Sequence, residues 1–429
     1  MGCSKNLVDS ERVLKMLADA GIDAFHDATD FEGDTVVINT CGFIGDAKEE
    51  SINAILSACE DKAEGRVGQV FVMGCLSERY SEVLPAEIPE VDGWFGKFDW
   101  SAVVSAIIQS QVDKTEKPWE RKITTPSHHA YLKIAEGCNR MCGFCAIPLI
   151  TGRYRSRPIP EIVEEVRDLV SRGVKELNII AQDLSNYGRD LGGQTSPSPL
   201  ALLLEKISDV EGVEWIRLHY AYPAGFPFDI LPVIAAKPNI CKYLDIALQH
   251  IDDKVLSNMH RNIDAESTRT LLDRIRRDVP GIHIRTTLMV GFPGEDNEAF
   301  ARLMEFVKEQ RFDRMGAFAY CEEEDTRAAR EFDDSIPQDI KQQRLDKLMA
   351  VQEKIALELN EEKIGKVLKV IIDSENDEFF VGRTEFDSPD VDPEVLIKKD
   401  RPLKIGEFYN VRIIEAYPFE LIGEIYDDR

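Results

Sequence analysis

Tyr131-Leu132-Lys133-Ile134-Ala135-Glu136-Gly137-Cys138-Asn139-Arg140-Met141-Cys142-Gly143-Phe144-Cys145 reads as a short apolar strand that runs into three cysteines spaced C-x3-C-x2-C. It also opens a repeat. Strand patterns at Tyr131–Ala135, Glu176–Ala181, Trp215–Tyr220, Tyr243–Leu248, His283–Val290 and Arg314–Tyr320 alternate with helical patterns at 159–172, 200–209, 228–236, 265–278, 297–310 and 340–362. Such alternation predicts a parallel sheet with helices outside it. Six units are too few for a closed eight-fold barrel and suit an open, partial (β/α)6 barrel. Ligands of such sheets sit at the carboxyl ends of the strands, where Cys138, Cys142 and Cys145 fall. Three thiolates this close can hold an iron–sulfur cluster at three irons, leaving the fourth iron open. Zinc would call for a fourth Cys or His. The nearest candidates, His128 and His129, precede the strand and belong to its other end.

Upstream, Thr35–Asn39 and Gln69–Met73 read as strands of an α/β domain, with helical spacing at Ser10–Ala20 and Ala47–Lys62. Cys41 and Cys75 each follow a strand and precede a helix, and Cys3 lies just ahead of the first helix. Convergence of these three on one edge predicts a second metal site; the alternative is three buried structural thiols. Cys59 falls on the apolar stripe of its helix, and Cys241 opens a buried strand, so both are expected in the core. Cys321 is expected as structural filler near a strand end. Residues 111–128 are polar and read as a linker. Beyond about 363, Lys366–Ile372, Phe379–Arg383, Val395–Lys398, Tyr409–Ile414 and Leu421–Tyr426 are five short strands, the pattern of a small OB-like β-barrel.

Composition narrows the function classes. The chain of 429 residues is 43% hydrophobic and carries a net charge of −26. No apolar run reaches the ~18–20 residues of a membrane span, and no secretory signal is visible. Met1-Gly2-Cys3-Ser4 is no acylation signal, because Asn6 stands where Ser or Thr is required. A cytoplasmic protein without membrane contact is expected. Nine cysteines, an odd number, then point to metal or redox use rather than disulfides.

The C-x3-C-x2-C motif with Phe144 before its third cysteine resembles the signature of the radical S-adenosylmethionine (SAM) superfamily. The resemblance implies that Cys138, Cys142 and Cys145 hold a [4Fe-4S] cluster. Its open iron would bind the amino and carboxylate groups of SAM, and one-electron cleavage would yield a 5′-deoxyadenosyl radical that abstracts hydrogen. Gly2-Cys3-Ser4-Lys5-Asn6-Leu7-Val8-Asp9-Ser10-Glu11, Asn39-Thr40-Cys41-Gly42-Phe43-Ile44 and Gly74-Cys75 resemble the three cysteine motifs of the methylthiotransferase family. That implies a second [4Fe-4S] cluster on Cys3, Cys41 and Cys75, used in sulfur insertion. The implied architecture is α/β: an N-terminal sheet domain (1–115), a radical SAM core (124–356) and a C-terminal TRAM barrel (357–429). The family carries a strand before its first cysteine motif, whereas only Met1 and Gly2 precede Cys3 here.

The resemblance also assigns cofactor contacts. Gly291 and Gly294, in the turn Gly291-Phe292-Pro293-Gly294-Glu295, are expected near the nucleoside, with backbone amides free for an anion or a base edge. Gln182 and Asp183 end the second strand, near the methionine part of SAM. Arg155, flanked by Arg153 and Arg157, is the candidate partner of the cofactor carboxylate. Gln249, His250, Arg217 and His219 are candidate cavity residues.

Two branches of the family compete, one modifying transfer RNA and one an aspartate of small-subunit ribosomal protein twelve. His219-Tyr220-Ala221-Tyr222-Pro223, Leu244–Ile251 and Gly382–Asp392 resemble the second. Charge agrees: residues 357–429 carry 19 Asp or Glu against 10 Lys or Arg, a net −9. An RNA-gripping barrel should be basic, whereas an acidic one suits a basic protein. The expected partners are therefore that ribosomal protein, docked on acids such as Asp387, Asp390, Asp392 and Glu394, and an electron donor such as flavodoxin or ferredoxin. Transfer RNA is not expected to bind.

Overall fold

The fold was obtained as a computed structural model that describes residues 2–27, 33–111, 117, 119–192 and 196–427. Most of the predicted linker is among them, but 112–116 and 118 lie outside the described residues. Six parallel strands form one open sheet in chain order: His129–Lys133, Glu176–Ile180, Trp215–Ala221, Ile240–Gln249, His283–Val290 and Arg314–Ala319. Helices Ile159–Ser171, Pro199–Ser208, Ile230–Ala236, Ala265–Asp278 and Asn297–Gln310 alternate with them. The largest core lies between these helices and the outer faces of the strands, with Leu132, Ile179, Leu218, Leu244, Ile284 and Phe306 all fully buried. The long helix Gln338–Glu361 joins the same core through Leu348 and Ile355, and Gln352 donates to the Phe312 carbonyl at 2.8 Å.

The predicted strand Tyr131–Ala135 divides. Its first part joins the sheet, whereas Ala135–Glu136 leaves it and pairs antiparallel with Arg155–Ser156. That short ladder closes the neck of the cysteine loop. Gly137 sits in the neck at φ +78°, and a Cβ there would lie 2.2 Å from the Arg153 carbonyl oxygen, so only glycine fits.

The N-terminal sheet has three parallel strands, Gly33–Thr40, Val67–Gly74 and Gly93–Trp94. The first helix runs over Ser4–Asp19, six residues earlier than its apolar stripe predicts. Those extra turns are buried by polar residues: Lys5, Asn6, Asp9, Glu11 and Arg12 are all nearly inaccessible. Asp9 accepts from Lys133 of the barrel and lies 3.3 Å from Lys97, which also reaches Glu136 at 3.4 Å. Glu11 pairs with Arg121, which pairs with Glu165 at 3.1 Å. Burying charges is costly unless each is paired, so this network defines a single docking of the first helix on the barrel.

The C-terminal five strands, Val367–Glu375, Phe379–Thr384, Glu394–Lys398, Phe408–Ala416 and Glu420–Ile425, close into a barrel around Val370, Val395, Val411 and Ile413. Its acidic loop differs from expectation. Asp387 is buried and salt-bridged to Arg314 at 2.6 Å; Asp392 pairs with Arg285 at 3.3 Å and accepts from the Tyr243 hydroxyl at 2.8 Å; Asp390 accepts from the Tyr131 hydroxyl at 3.1 Å. Arg383 pairs with Glu176, which also holds Arg217. The loop is thus joined to side chains of the barrel strands. Two of the four acids expected to face a basic partner, Asp387 and Asp392, are neutralised inside the chain. Net charge misled here because sequence counts charges without showing which are already paired.

Candidate functional site

The loop after the first barrel strand holds Cys138, Cys142 and Cys145. Its backbone is fixed at both ends: Cys138 N–H donates to the Gly152 carbonyl at 3.2 Å, Gly143 N–H to the Met259 carbonyl at 2.9 Å, and Ala328 N–H to the Gly143 carbonyl at 2.7 Å. Phe144 turns onto Phe292 of the Gly291–Glu295 turn, ring centroids 6.3 Å apart. Burial pushes the Cys138 thiol up to about 11 and Cys145 higher still, and the neighbouring Cys142 adds to both. Such thiols stay protonated until a cation displaces the protons.

Cationic side chains flank this loop. Arg261 donates to the Cys142 sulfur at 3.3 Å, and the Arg140 amide to the Cys138 sulfur at 3.5 Å. The Arg261 and Arg140 guanidiniums each lie 4.1 Å from the Tyr222 ring, whose hydroxyl donates to the Arg261 carbonyl and lies 3.7 Å from Cys142. Asp183, from the end of the second strand, accepts from Arg140 Nε at 2.5 Å; burial raises its pKa despite that guanidinium. Gln182 donates to Glu136 at 3.2 Å, and Lys133 and Lys97 overcome the burial of Glu136 to hold its pKa at about 2.

The structure also places the other expected contact residues. Arg155 is exposed and lies 5.3 Å from the Phe98 ring, and Arg157 is tied to Glu161 and Glu165; neither is bonded to a cysteine of the loop. Arg140 and Arg261 are the arginines bonded to sulfurs of the loop. The turn at Gly291 does bind an anion, but the chain's own: Gly291 N–H donates to Glu295 at 3.0 Å, and Glu295 also holds His250 at 3.1 Å and Arg344 at 2.7 Å. Gly294 is exposed, and a Cβ there would lie 2.6 Å from Asn258 Nδ2. Gln249 and His250 are buried. His219 is buried against Asn178 at 3.2 Å, and Arg217 faces Glu176 and the C-terminal barrel. Cys59 and Cys241 are buried as expected, whereas Cys321 is exposed rather than filler.

The N-terminal cysteines are organised by Asn6. Its Nδ2 donates to the Thr40 carbonyl at 2.8 Å, its Oδ1 accepts from the Cys75 thiol at 3.5 Å, and its own carbonyl accepts from Asn39 at 2.9 Å. One buried amide thus ties together the three motifs that carry Cys3, Cys41 and Cys75. Thr40 adds a bond to the Met73 carbonyl at 2.7 Å, and Ser51 bonds both polar groups of the Cys41 backbone. Gly74, at φ +105°, allows the approach, since a Cβ there would lie 2.4 Å from Asn39 Oδ1. Cys3 itself caps the first helix, in a recess that solvent reaches. Surrounding protein opposes its ionisation, but Lys5, the Asn6 and Lys5 amides and Lys97 outweigh this and lower its pKa. Burial drives Cys75 up to about 12 and also raises Cys41.

The two cysteine groups adjoin. Cys75 packs against Ala146 and Ile150, directly after Cys145, and the helix Cys75–Arg79 lies on the helix Ile147–Thr151. Lys97 lies beside the N-terminal group, bonded to Asp9 and Glu136 and within electrostatic range of Cys75 and Cys3. Among the described residues no three His, Cys, Asp or Glu side chains converge on one point as a single metal ion requires. A four-iron cluster makes no such demand, because each thiolate binds a different iron. With three thiols and donors aimed at two of their sulfurs, the loop of Cys138, Cys142 and Cys145 fits such a cluster.

Comparison with known proteins gives the family. A profile described as uncharacterized protein family UPF0004 matches residues 1–96, the radical SAM superfamily matches 132–307, and the TRAM domain matches 364–425. A ribosomal protein uS12 methylthiotransferase RimO from Phocaeicola vulgatus is 56% identical over 426 residues, covering 99% of this chain and 98% of the relative. That of Parabacteroides distasonis is 54% identical, covering 99% and 97%. This chain belongs to the RimO family. A more distant likeness, the radical SAM methyltransferase TsrM from Kitasatospora setae, superimposes with a TM-score of 0.54 at 14% identity, covering 74% of this chain and 70% of that one, and reflects the fold alone. Among the described residues no helix is long and apolar enough to cross a membrane.

Proposed function

We propose that this chain is a radical SAM methylthiotransferase acting on ribosomal protein uS12, and that the reacting position is the β-carbon of an aspartate. The carrying observation is the junction itself, where a strand-end C-x3-C-x2-C loop abuts a second cysteine group from another domain. Cys138, Cys142 and Cys145 would hold one [4Fe-4S] cluster and Cys3, Cys41 and Cys75 a second; with SAM the first supplies radical hydrogen abstraction, the second the sulfur chemistry. A C–H bond beside a carboxylate offers no easy ionic route, which is why radical chemistry suits it.

The chain's own residues have definable tasks. Arg261 and the Arg140 amide donate to the sulfurs and favour their anionic form. Asp183 fixes Arg140, and Tyr222 holds both guanidiniums in place. Asn6 keeps the N-terminal cysteine motifs in register. Electrons would arrive from a small reduced carrier such as flavodoxin or ferredoxin.

The test is anaerobic turnover of the reconstituted enzyme with purified uS12 and, separately, with hypomodified transfer RNA, each followed by intact mass spectrometry. A methylthio gain on one aspartate of uS12 and none on the RNA is expected. Transfer to the RNA alone would overturn the substrate assignment.

A further inference from the structure

Lys5 is a buried cation with no bonded counter-ion among the described residues. It is 8% exposed, and no carboxylate or carbonyl among them is bonded to its ammonium. The ammonium lies over the face of Tyr220, 3.1 Å from the ring centroid, with the Cys3 thiol and the Asp245 carboxylate in electrostatic range. A buried ammonium with no bonded carboxylate costs stability, and neighbouring cations show how readily this chain supplies such partners. Lys97, Lys133, Arg12 and Arg121 all have carboxylates.

The position of Lys5 is informative. It is two residues from Cys3 and acts electrostatically on that thiol. Tyr220 lies at the carboxyl end of the third barrel strand, at φ +62°, two residues before the Tyr222 that touches Cys142. Its backbone N–H donates to Asp245 at 3.2 Å, and Asp245 is already engaged by Arg285 at 3.4 Å. The Ser4 and Tyr220 hydroxyls are 3.5 Å apart beside the ammonium. One ammonium and two hydroxyls therefore cluster beside Cys3, at the carboxyl end of the third barrel strand.

We propose that Lys5 is the substrate-carboxylate anchor: its ammonium, with the Ser4 and Tyr220 hydroxyls, binds the side-chain carboxylate of the target aspartate and holds the adjacent CH2 between the two cysteine groups. This rests on the uS12 reading above. Orientation of that kind can account for a large part of catalysis. It would also select aspartate over asparagine, because an amide cannot neutralise the ammonium.

The test uses full-length reconstituted enzyme and fluorescently labelled uS12, with its target aspartate intact or changed to asparagine. Anisotropy gives the dissociation constants for wild type, Lys5→Met and Lys5→Arg. Loss of a charge-assisted bond predicts about 10- to 100-fold weaker binding of the aspartate form to Lys5→Met. Binding of the asparagine form should not change, and Lys5→Arg should restore most of the preference. Iron content should equal wild type, which separates anchoring from damage to the Cys3 site. Preference for aspartate that survives Lys5→Met, or equal losses for both forms, overturns the anchor alone. Weaker SAM binding in place of weaker uS12 binding also overturns it, assigning Lys5 to the cofactor carboxylate. A wild type that does not distinguish the two forms overturns the substrate reading and the anchor with it.

Discussion

Replacing Glu176 with alanine removes the carboxylate that joins the C-terminal barrel to the radical SAM core. Glu176 is wholly buried and accepts from Arg217 at 3.0 Å and from Arg383 at 2.7 Å, the second across the domain boundary. Burial by itself would raise its pKa, but Arg383 and Arg217 outweigh burial and hold it far below the ordinary value. Breaking a buried pair by deleting one partner costs about 3–5 kcal/mol. The lower figure applies here, because Arg383 keeps Asp373 at 2.7 Å and Arg217 keeps the Glu385 carbonyl at 2.6 Å. About 3 kcal/mol corresponds to ~100-fold more frequent opening of the interface. Hydrogen exchange should therefore accelerate by about that factor in Phe379–Thr384 and Glu176–Ile180, leaving the N-terminal sheet unchanged. The native pKa is lowered, so the stabilisation is complete above the unfolded value of ~4.3 and drains as pH falls below it. The mutant should thus lose most of its deficit relative to wild type in strong acid. Acceleration confined to amides adjoining residue 176, or a deficit that grows on acidification, would refute the reasoning.

Asn6→Ala deletes two side-chain hydrogen bonds and orphans the buried Thr40 carbonyl, about 2–3 kcal/mol of local stability. Iron retained after a chelator challenge should fall from about eight to about four atoms per chain, and unchanged retention would remove the organising role of Asn6. Arg261→Gln weakens donation to the Cys142 sulfur. A reduced cluster carries more negative charge and gains more from that donor, so its potential should drop by ~40 mV, for about 1 kcal/mol of differential stabilisation. Spectroelectrochemical titration checks this, and a rise would contradict it.

Periodicity made the barrel legible. His283–Val290, Ala265–Asp278 and Asn297–Gln310 were read to the residue, because each buries one apolar face and presents one polar face. The first helix was misread at its start for the opposite reason. Its first turns bury Lys5, Asn6 and Asp9 beside Val8, and an apolar template cannot register the burial of polar side chains. Cysteine spacing led to the loop at Cys138, but Arg261 and Asn6 could not be ranked beforehand. Arg261 comes from a helix–loop more than a hundred residues away, and Asn6 matters only because strand pairing brings Thr40 and Cys75 to it. Arg155 seemed the better carboxylate partner by sequence distance, yet the Ala135–Glu136 ladder holds its backbone and leaves its side chain outside. Charge counting failed at Asp387 and Asp392, whose partners Arg314 and Arg285 belong to the preceding domain.

The division of labour between the two cysteine groups is tested most directly by one paired assay on anaerobically reconstituted enzyme supplied with SAM, reductant and uS12. Wild type, Cys138→Ala and the triple variant Cys3→Ala, Cys41→Ala, Cys75→Ala are compared for 5′-deoxyadenosine released and for methylthio groups on uS12. The triple variant should release 5′-deoxyadenosine yet attach no sulfur, and Cys138→Ala should do neither. Release of 5′-deoxyadenosine by Cys138→Ala, or methylthio transfer by the triple variant, would contradict the roles given to the two groups.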